Sequence, residues 1–146
     1  MLLIKEIKHR DLELCFELDL NTISLWTKKQ WDYEFKKEGI KVLGLSLSNL
    51  LIGICVLQEV LDEAQINHFA VSQKFQRQGF GTYLMNYLIN QCIQSKVNKL
   101  LLEVSESNLA AVNFYNNFDF LTVGIRKNYY KDGSDALLKE KKLIKN

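Results

Sequence analysis

Residues 63–94 constrain this chain more than any other stretch. An apolar run ending in Phe69, Ala70 and Val71 leads into Gln76-Arg77-Gln78-Gly79-Phe80-Gly81, and TYLMNYLINQCI follows at once. In that last segment Leu84, Leu88 and Cys92 recur every four residues, with Met85, Ile89 and Ile93 beside them. Thr82, Asn86, Asn90 and Gln94 fall on the opposite side, so the spacing predicts an amphipathic helix. Strand, glycine loop and helix in succession require a sheet with a helix packed on it. The junction also has a chemical property. The first N–H groups of a helix have no partner inside it, and with the helix dipole they favour an anion. Glycine lets backbone approach such a ligand closely. Taken alone, Gly79-x-Gly81 reads as a turn or as a phosphate cradle. It is not a Walker loop, since no Gly-Lys-Ser/Thr follows, and it is not a dinucleotide fingerprint, since position 84 is leucine.

The remaining elements follow from the same kind of reading. Residues 2–7 form a short strand, and Leu12, Cys15, Phe16 and Leu18 or Asp19 have helical spacing over 11–20. Thr27 and Gln30 have capping-box spacing for a second helix that would end near Gly39. IKVLGLSL and LLIGICVLQEV, joined by Ser48-Asn49, read as a hairpin, and a further strand covers about 63–71. KLLLEVS at 99–105 is a buried strand. Ser107 or Asn108 caps a short helix through about Asn117, and strands at about 119–126 and 135–143 close the chain. The order is strand, two helices, three strands, helix, strand, helix, two strands, which gives an α/β or α+β sheet flanked by helices.

Composition narrows the function classes. At 146 residues, 47% apolar, 25% charged and without proline, the chain has the size and balance of one globular domain, residues 1–146, with no Pro-rich linker to divide it. A net charge of +2 is too weak and too evenly spread to argue for nucleic-acid binding by bulk electrostatics. The lysines at 139, 141, 142 and 145 read as a solvated strand end or tail. Cys15, Cys55 and Cys92 are scattered, odd in number and set among apolar residues, so buried free thiols are expected, with neither a metal nor a disulfide framework. The first residues are charged too early for a signal peptide, and no apolar run approaches a membrane span, so a cytoplasmic protein is expected.

Three further features have chemical meaning. Alternation along 99–105 sets Leu100, Leu102 and Val104 on one face and Leu101, Glu103 and Ser105 on the other. A carboxylate in so apolar a strand is either an exposed glutamate or a general base at a cleft. Tyr115 follows twelve residues later, as a core tyrosine or as a phenol acting as an acid. RKNYYKDGSDA carries turn chemistry and two tyrosines, Tyr129 and Tyr130, which would be an exposed aromatic pair or a lid.

Together these residues resemble the GNAT acetyltransferases (Gcn5-related N-acetyltransferases). Gln76, Gly79 and Gly81 before the helix resemble the family's Q/R-x-x-G-x-G/A motif. Leu102, Glu103, Val104, Ser107, Asn108, Ala111 and Tyr115 resemble its L-E-V-x-x-S-N-x-x-A-x-x-x-Y block. The ending is similar to the RimI branch, which acetylates the N-terminal alanine of a small-subunit ribosomal protein. The likeness is strong over about 63–140.

The resemblance implies a single domain with a mixed, mostly antiparallel sheet of about seven strands and about four helices. It implies acetyl-CoA as cosubstrate, held by Phe69, Ala70 and Val71, by the loop Gln76, Arg77, Gln78, Gly79, Phe80, Gly81 and Thr82, and by Asn108, Ala111 and Tyr115. Glu103 would be the general base, Tyr115 the general acid, and the Val71 N–H the donor to the acetyl oxygen. Tyr129 and Tyr130 would cover the incoming protein N-terminus, with Leu25, Trp26 and Trp31 as the other wall. Neither metal, membrane nor direct nucleic-acid contact is implied. Asp119 stands where the family has glycine, and should still stop the helix, because Asp tolerates left-handed geometry. Acetylation of a small amine or a lysine, and acyl-CoA sensing without turnover, are the alternatives.

Overall fold

In the computed structural model, described over residues 1–143, Leu2–Ile7 (β1) opens the chain and is followed by Leu12–Leu20 (α1) and Lys28–Phe35 (α2). Ile40–Leu47 (β2), Leu50–Val60 (β3) and Glu63–Val71 (β4) come next. Phe80–Gln94 (α3), Lys99–Ser105 (β5), Leu109–Asn117 (α4), Leu121–Arg126 (β6) and Ala136–Lys142 (β7) complete it. The seven strands lie in the order β1-β2-β3-β4-β5-β7-β6, antiparallel throughout except for β4 beside β5. Among the described residues no helix is long and apolar enough to cross a membrane.

Local chemistry accounts for most element ends. Thr27 and Gln30 form the reciprocal capping box of α2, with Gln30 N–H donating to Thr27 Oγ1 at 3.1 Å and Thr27 N–H to Gln30 Oε1 at 2.8 Å. Ser48 (φ 49°) and Asn49 (φ 71°) both take the left-handed region that a two-residue hairpin needs. Asp119 does the same at φ 65° after α4. Helix α2 stops at Phe35, short of Gly39, where the Lys36 and Lys37 N–H groups bond only three residues back, to the Tyr33 and Glu34 carbonyls. Gly39 instead serves the entry to β2, where a Cβ would meet the Glu59 carbonyl oxygen at 2.3 Å.

The sheet has two apolar faces. Leu84, Met85 and Leu88 of α3 and Tyr115 of α4 pack on one, against Ile52, Cys55, Leu100, Leu102 and Val104. Cys15, Leu18 and Trp31 of α1 and α2 pack on the other, against Val42, Ile54 and Val56. Strand β4 changes sides. Val56 pairs with His68 and Leu57 with Ile66, so Asn67 is an extra residue, a β-bulge. Ala64 and Ile66 belong to the α3 face, while Ala70 lies in the α1–α2 cluster and the His68 ring meets Trp26 and Trp31. The same region separates the strands. Pairing of β4 with β5 runs from Glu63–Lys99 to Ile66–Leu102 and goes no further. Beyond it the two strands diverge and leave a cleft.

The C-terminal lysines do not form a solvated strand end. Lys139 is buried, its Nζ donating to Asn116 Oδ1 at 2.8 Å and Thr122 Oγ1 at 2.9 Å, and burial lowers its pKa. Lys141 Nζ donates to the Phe118 carbonyl at 2.8 Å. Both reach the end of α4, where free carbonyls and the helix dipole favour a cation. Lys142 is exposed, and Lys145 lies outside the described residues. The three cysteines are buried and free, as their apolar settings predict.

Candidate active site

The divergence of β4 and β5 opens a cleft of about 510 Å³. One end is backbone. Gln76 Nε2 donates to the Val71 carbonyl at 2.9 Å, tying the loop back to the end of β4, and Gln78 Nε2 bridges to the Lys74 carbonyl at 3.0 Å. Both side chains brace the loop. Arg77 (φ 62°) and Gly79 (φ 87°, ψ 0°) are left-handed, a conformation that turns successive N–H groups to one side. Gly79 caps α3 without a side-chain bond, and a Cβ built on it meets nothing within 4 Å, so the space in front of the helix is open. Arg77, Gly79, Gly81 and Thr82 line the cleft. Phe80 does not, since its ring packs edge-on against Phe75 beside the core. Phe69, Ala70 and Val71 line it with a strand edge that β5 leaves unpaired.

Strand β5 and helix α4 form the opposite wall. Asn108 caps α4 by accepting the Ala111 N–H at 3.2 Å, which settles the choice between Ser107 and Asn108. Asn108, Ala111, Phe114 and Tyr115 line the cleft. Tyr115 is 8% exposed and edge-on to Phe114 and Phe120, and burial pushes its phenol well above the usual tyrosine range. It is therefore a neutral hydroxyl at any ordinary pH. Glu103 faces away from the Leu100–Leu102–Val104 core. Its Oε2 is buried without a hydrogen bond, and Arg126 Nε stands 3.8 Å away.

The two tyrosines of the β6–β7 connection do not flank an extended strand. They lie in a turn, their rings edge-on at 5.1 Å and 87°. Tyr130 lines the cleft, and burial, with Glu103 next, raises its pKa. Tyr129 is 52% exposed beneath the Arg126 guanidinium and lies outside the lining.

The wall assigned to Leu25, Trp26 and Trp31 needs correction. Leu25 lines the cleft with Thr22 and Ile23, but Trp31 is fully buried and Trp26 packs edge-on over it at 4.7 Å, so the indoles support the wall from behind. Asp19 holds this region together. Its Oδ1 accepts the Leu25 N–H at 2.9 Å, and its Oδ2 accepts the Trp26 N–H and the Trp31 Nε1–H, each at 3.0 Å. Burial opposes its ionisation. The His68 ring and the two backbone donors outweigh burial and bring its pKa down to about 2. His68 itself lines the cleft from β4. Sequence reasoning had no role for Asp19, His68, Asn67 or Phe114. A histidine among Ile66, Phe69 and Ala70 was the available signal.

Known proteins resemble this chain in sequence and in fold. Residues 7–120 match the acetyltransferase (GNAT) family. The [ribosomal protein bS18]-alanine N-acetyltransferase of Haemophilus influenzae is 36% identical over 134 residues, covering 89% of this chain and 88% of the relative. The crystal structure of the ribosomal-protein-S18-alanine N-acetyltransferase from Escherichia coli superposes with a TM-score of 0.93 at 29% identity, over 100% of this chain and 96% of that one. A GNAT family acetyltransferase from Elizabethkingia anophelis, solved with acetyl-CoA bound, shares the fold with a TM-score of 0.83 at 23% identity, over 97% and 98% of the two chains.

Proposed function

The chain belongs to the acetyltransferase (GNAT) family, and on that footing we propose that it transfers the acetyl group of acetyl-CoA to the N-terminal α-amine of a protein, as its bS18-alanine-acetylating relatives are named for doing. The observation that carries the reading is the cleft itself. An open anion cradle at the start of α3 continues along the unpaired edge of β4 to a half-buried carboxylate and a buried phenol.

The cradle fits a pyrophosphate because its donors are fixed backbone N–H groups and no side chain fills the space before them. Acetyl-CoA supplies an activated thioester. Gly79, Gly81 and Thr82 hold its phosphates, Phe69 to Val71 and the Asn108 amide take the pantetheine arm, and the Val71 N–H steadies the acetyl oxygen. An α-amine has a pKa of about 8, so at neutral pH most of it is protonated and has no lone pair. Glu103, whose Oε2 has no hydrogen bond and only the Arg126 guanidinium at 3.8 Å, accepts a proton from it directly or through one water. Collapse of the tetrahedral adduct expels a thiolate, and Tyr115, kept neutral by burial, protonates it. Tyr130 and Leu25 contact the incoming peptide from opposite sides of the cleft mouth.

The test is CoA release from acetyl-CoA with peptides that begin Ala, Ser or Met, beside a peptide whose only free amine is a lysine and a small polyamine. Release with an N-terminal peptide supports the reading. Release with lysine or polyamine alone replaces it with acetylation of that amine.

A further inference from the structure

Among the described residues, buried side-chain polar atoms without a hydrogen bond occur on two residues only: Oε2 of Glu103 and both ring nitrogens of His68. Both residues line the same cleft. A buried polar atom left without a hydrogen bond is destabilising, so three of them on two residues of one wall require an explanation. They sit on neighbouring strands and point to the same side of the sheet. Glu103 is on the face of β5 opposite its core residues, and the bulge at Asn67 turns His68 onto the α1–α2 side of β4.

The proposed reaction gives this pair a use. Two protons leave the acceptor nitrogen, one before it attacks and one from the adduct, and Tyr115 delivers one proton to the thiolate. Building on that reading, we propose that His68, oriented by Asp19, is a second proton-accepting residue for the acceptor amine, working beside Glu103. His68 Nε2 stands 2.9 Å from Asp19 Oδ1, and both side chains are fully buried. The ring is wedged between Trp26 at 4.9 Å and Trp31 at 5.3 Å, which limits its rotation. Both ring nitrogens are closed to solvent here, so the imidazole takes the ammonium's proton on its free nitrogen through one water admitted with the acceptor. The resulting imidazolium is stabilised by the Asp19 carboxylate, itself fixed by three N–H donors. The amine is left with its lone pair, and the proton leaves the ring for solvent as the product departs.

Other titratable groups near the ring are few. Cys15 of α1 packs in the same cluster and stays neutral, its pKa pushed up to about 12 by burial. Glu34 of α2 is tied to Lys37 at 2.7 Å and to the Asn67 amide at 2.6 Å. On the β5 side stand Glu103, Arg126 and Tyr130, and β3 contributes the apolar Val56.

The experiment has two arms. In the first, kcat/KM for a peptide beginning with alanine is measured from pH 6 to 9.5 for wild type, His68→Asn, Asp19→Asn and the double variant. His68→Asn should lose roughly 10²-fold at pH 7. The deficit should shrink above pH 8, where the acceptor arrives already deprotonated, and acetyl-CoA binding should be unchanged. Asp19→Asn removes the ring's partner and also loosens Leu25, Trp26 and Trp31, so it should show the same pH-dependent part of the deficit, and the double variant should add little to that part. A deficit that is flat with pH, or no deficit, overturns the proposal.

The second arm uses wild type and so does not depend on a variant folding. The chain has two histidines, His9 and His68, and the ring signals of both are followed by NMR as the alanine peptide is added to the CoA-bound protein. His68 should shift while the exposed His9 stays in place, and an unmoved His68 signal overturns the proposal. A wild type active on a small amine but on no N-terminal peptide removes the protein-acceptor reading, and both arms are then run with that amine. A wild type inert with every amine overturns both.

Discussion

The two halves of the cleft are made of different material. The half assigned to acetyl-CoA is backbone: a left-handed loop, two helix starts and the open edge of β4, with Gln76 and Gln78 spent on bracing it. The half assigned to the acceptor is side chains held by other side chains. Asp19 gathers Leu25, Trp26, Trp31 and His68 around one carboxylate, and Glu103 stands opposite with an oxygen that lacks a hydrogen bond. A ligand common to many enzymes can be held by groups every residue has. An acceptor that differs between enzymes must be met by groups that substitution can change.

Breaking the acceptor half at its support should have the largest effect. Trp31→Ala removes a fully buried indole and its bond to Asp19, and should lower unfolding stability by about 3–5 kcal/mol, read by denaturant melts. Tyr115→Phe, at the junction of the halves, should cut turnover by roughly 10²-fold or more while leaving acetyl-CoA binding nearly unchanged. Full activity there would remove the acid role.

Acid should also reach the acceptor half through Asp19. Its folded pKa, about 2, lies below the ordinary carboxylate value. The stability it contributes is therefore present above pH 4 and is lost as pH falls through 4 toward 2, at about 2 kcal/mol in all. Urea melts of wild type and Asp19→Asn should converge at the bottom of that window.

On the cofactor half, Gly79→Val should raise the KM for acetyl-CoA at least ~10-fold by filling the open cradle, with acceptor KM little changed. The left-handed φ of 87° adds roughly 1–2 kcal/mol of strain for a side chain with a Cβ, so the melting point should fall as well. The smallest effect should come from Thr27→Ala. Loss of the cap should destabilise by about 1 kcal/mol and raise acceptor KM without touching acetyl-CoA binding, because α2 backs only the acceptor wall.

Much of this was legible beforehand. Seven strands and four helices follow from periodicity, from the capping box at Thr27 and from the Ser48-Asn49 turn, because each is a short-range signal. The turn into α3 was legible for the same reason, since glycines before an amphipathic run mark a helix start, while spacing alone left a plain turn and a phosphate cradle both open. Glu103 stood out as a charge in an apolar strand.

Tertiary structure alone decided the rest. Which face His68 takes depends on one extra residue at Asn67, and a one-residue slip reverses every side chain beyond it. That Asp19 reaches His68 across 49 positions of sequence, that Trp31 is a support and not a wall, and that Lys139 is buried against α4 all depend on long-range packing. Spacing along the chain encodes what neighbouring residues do to each other. Contacts between distant residues are set only when both sides of the sheet are closed.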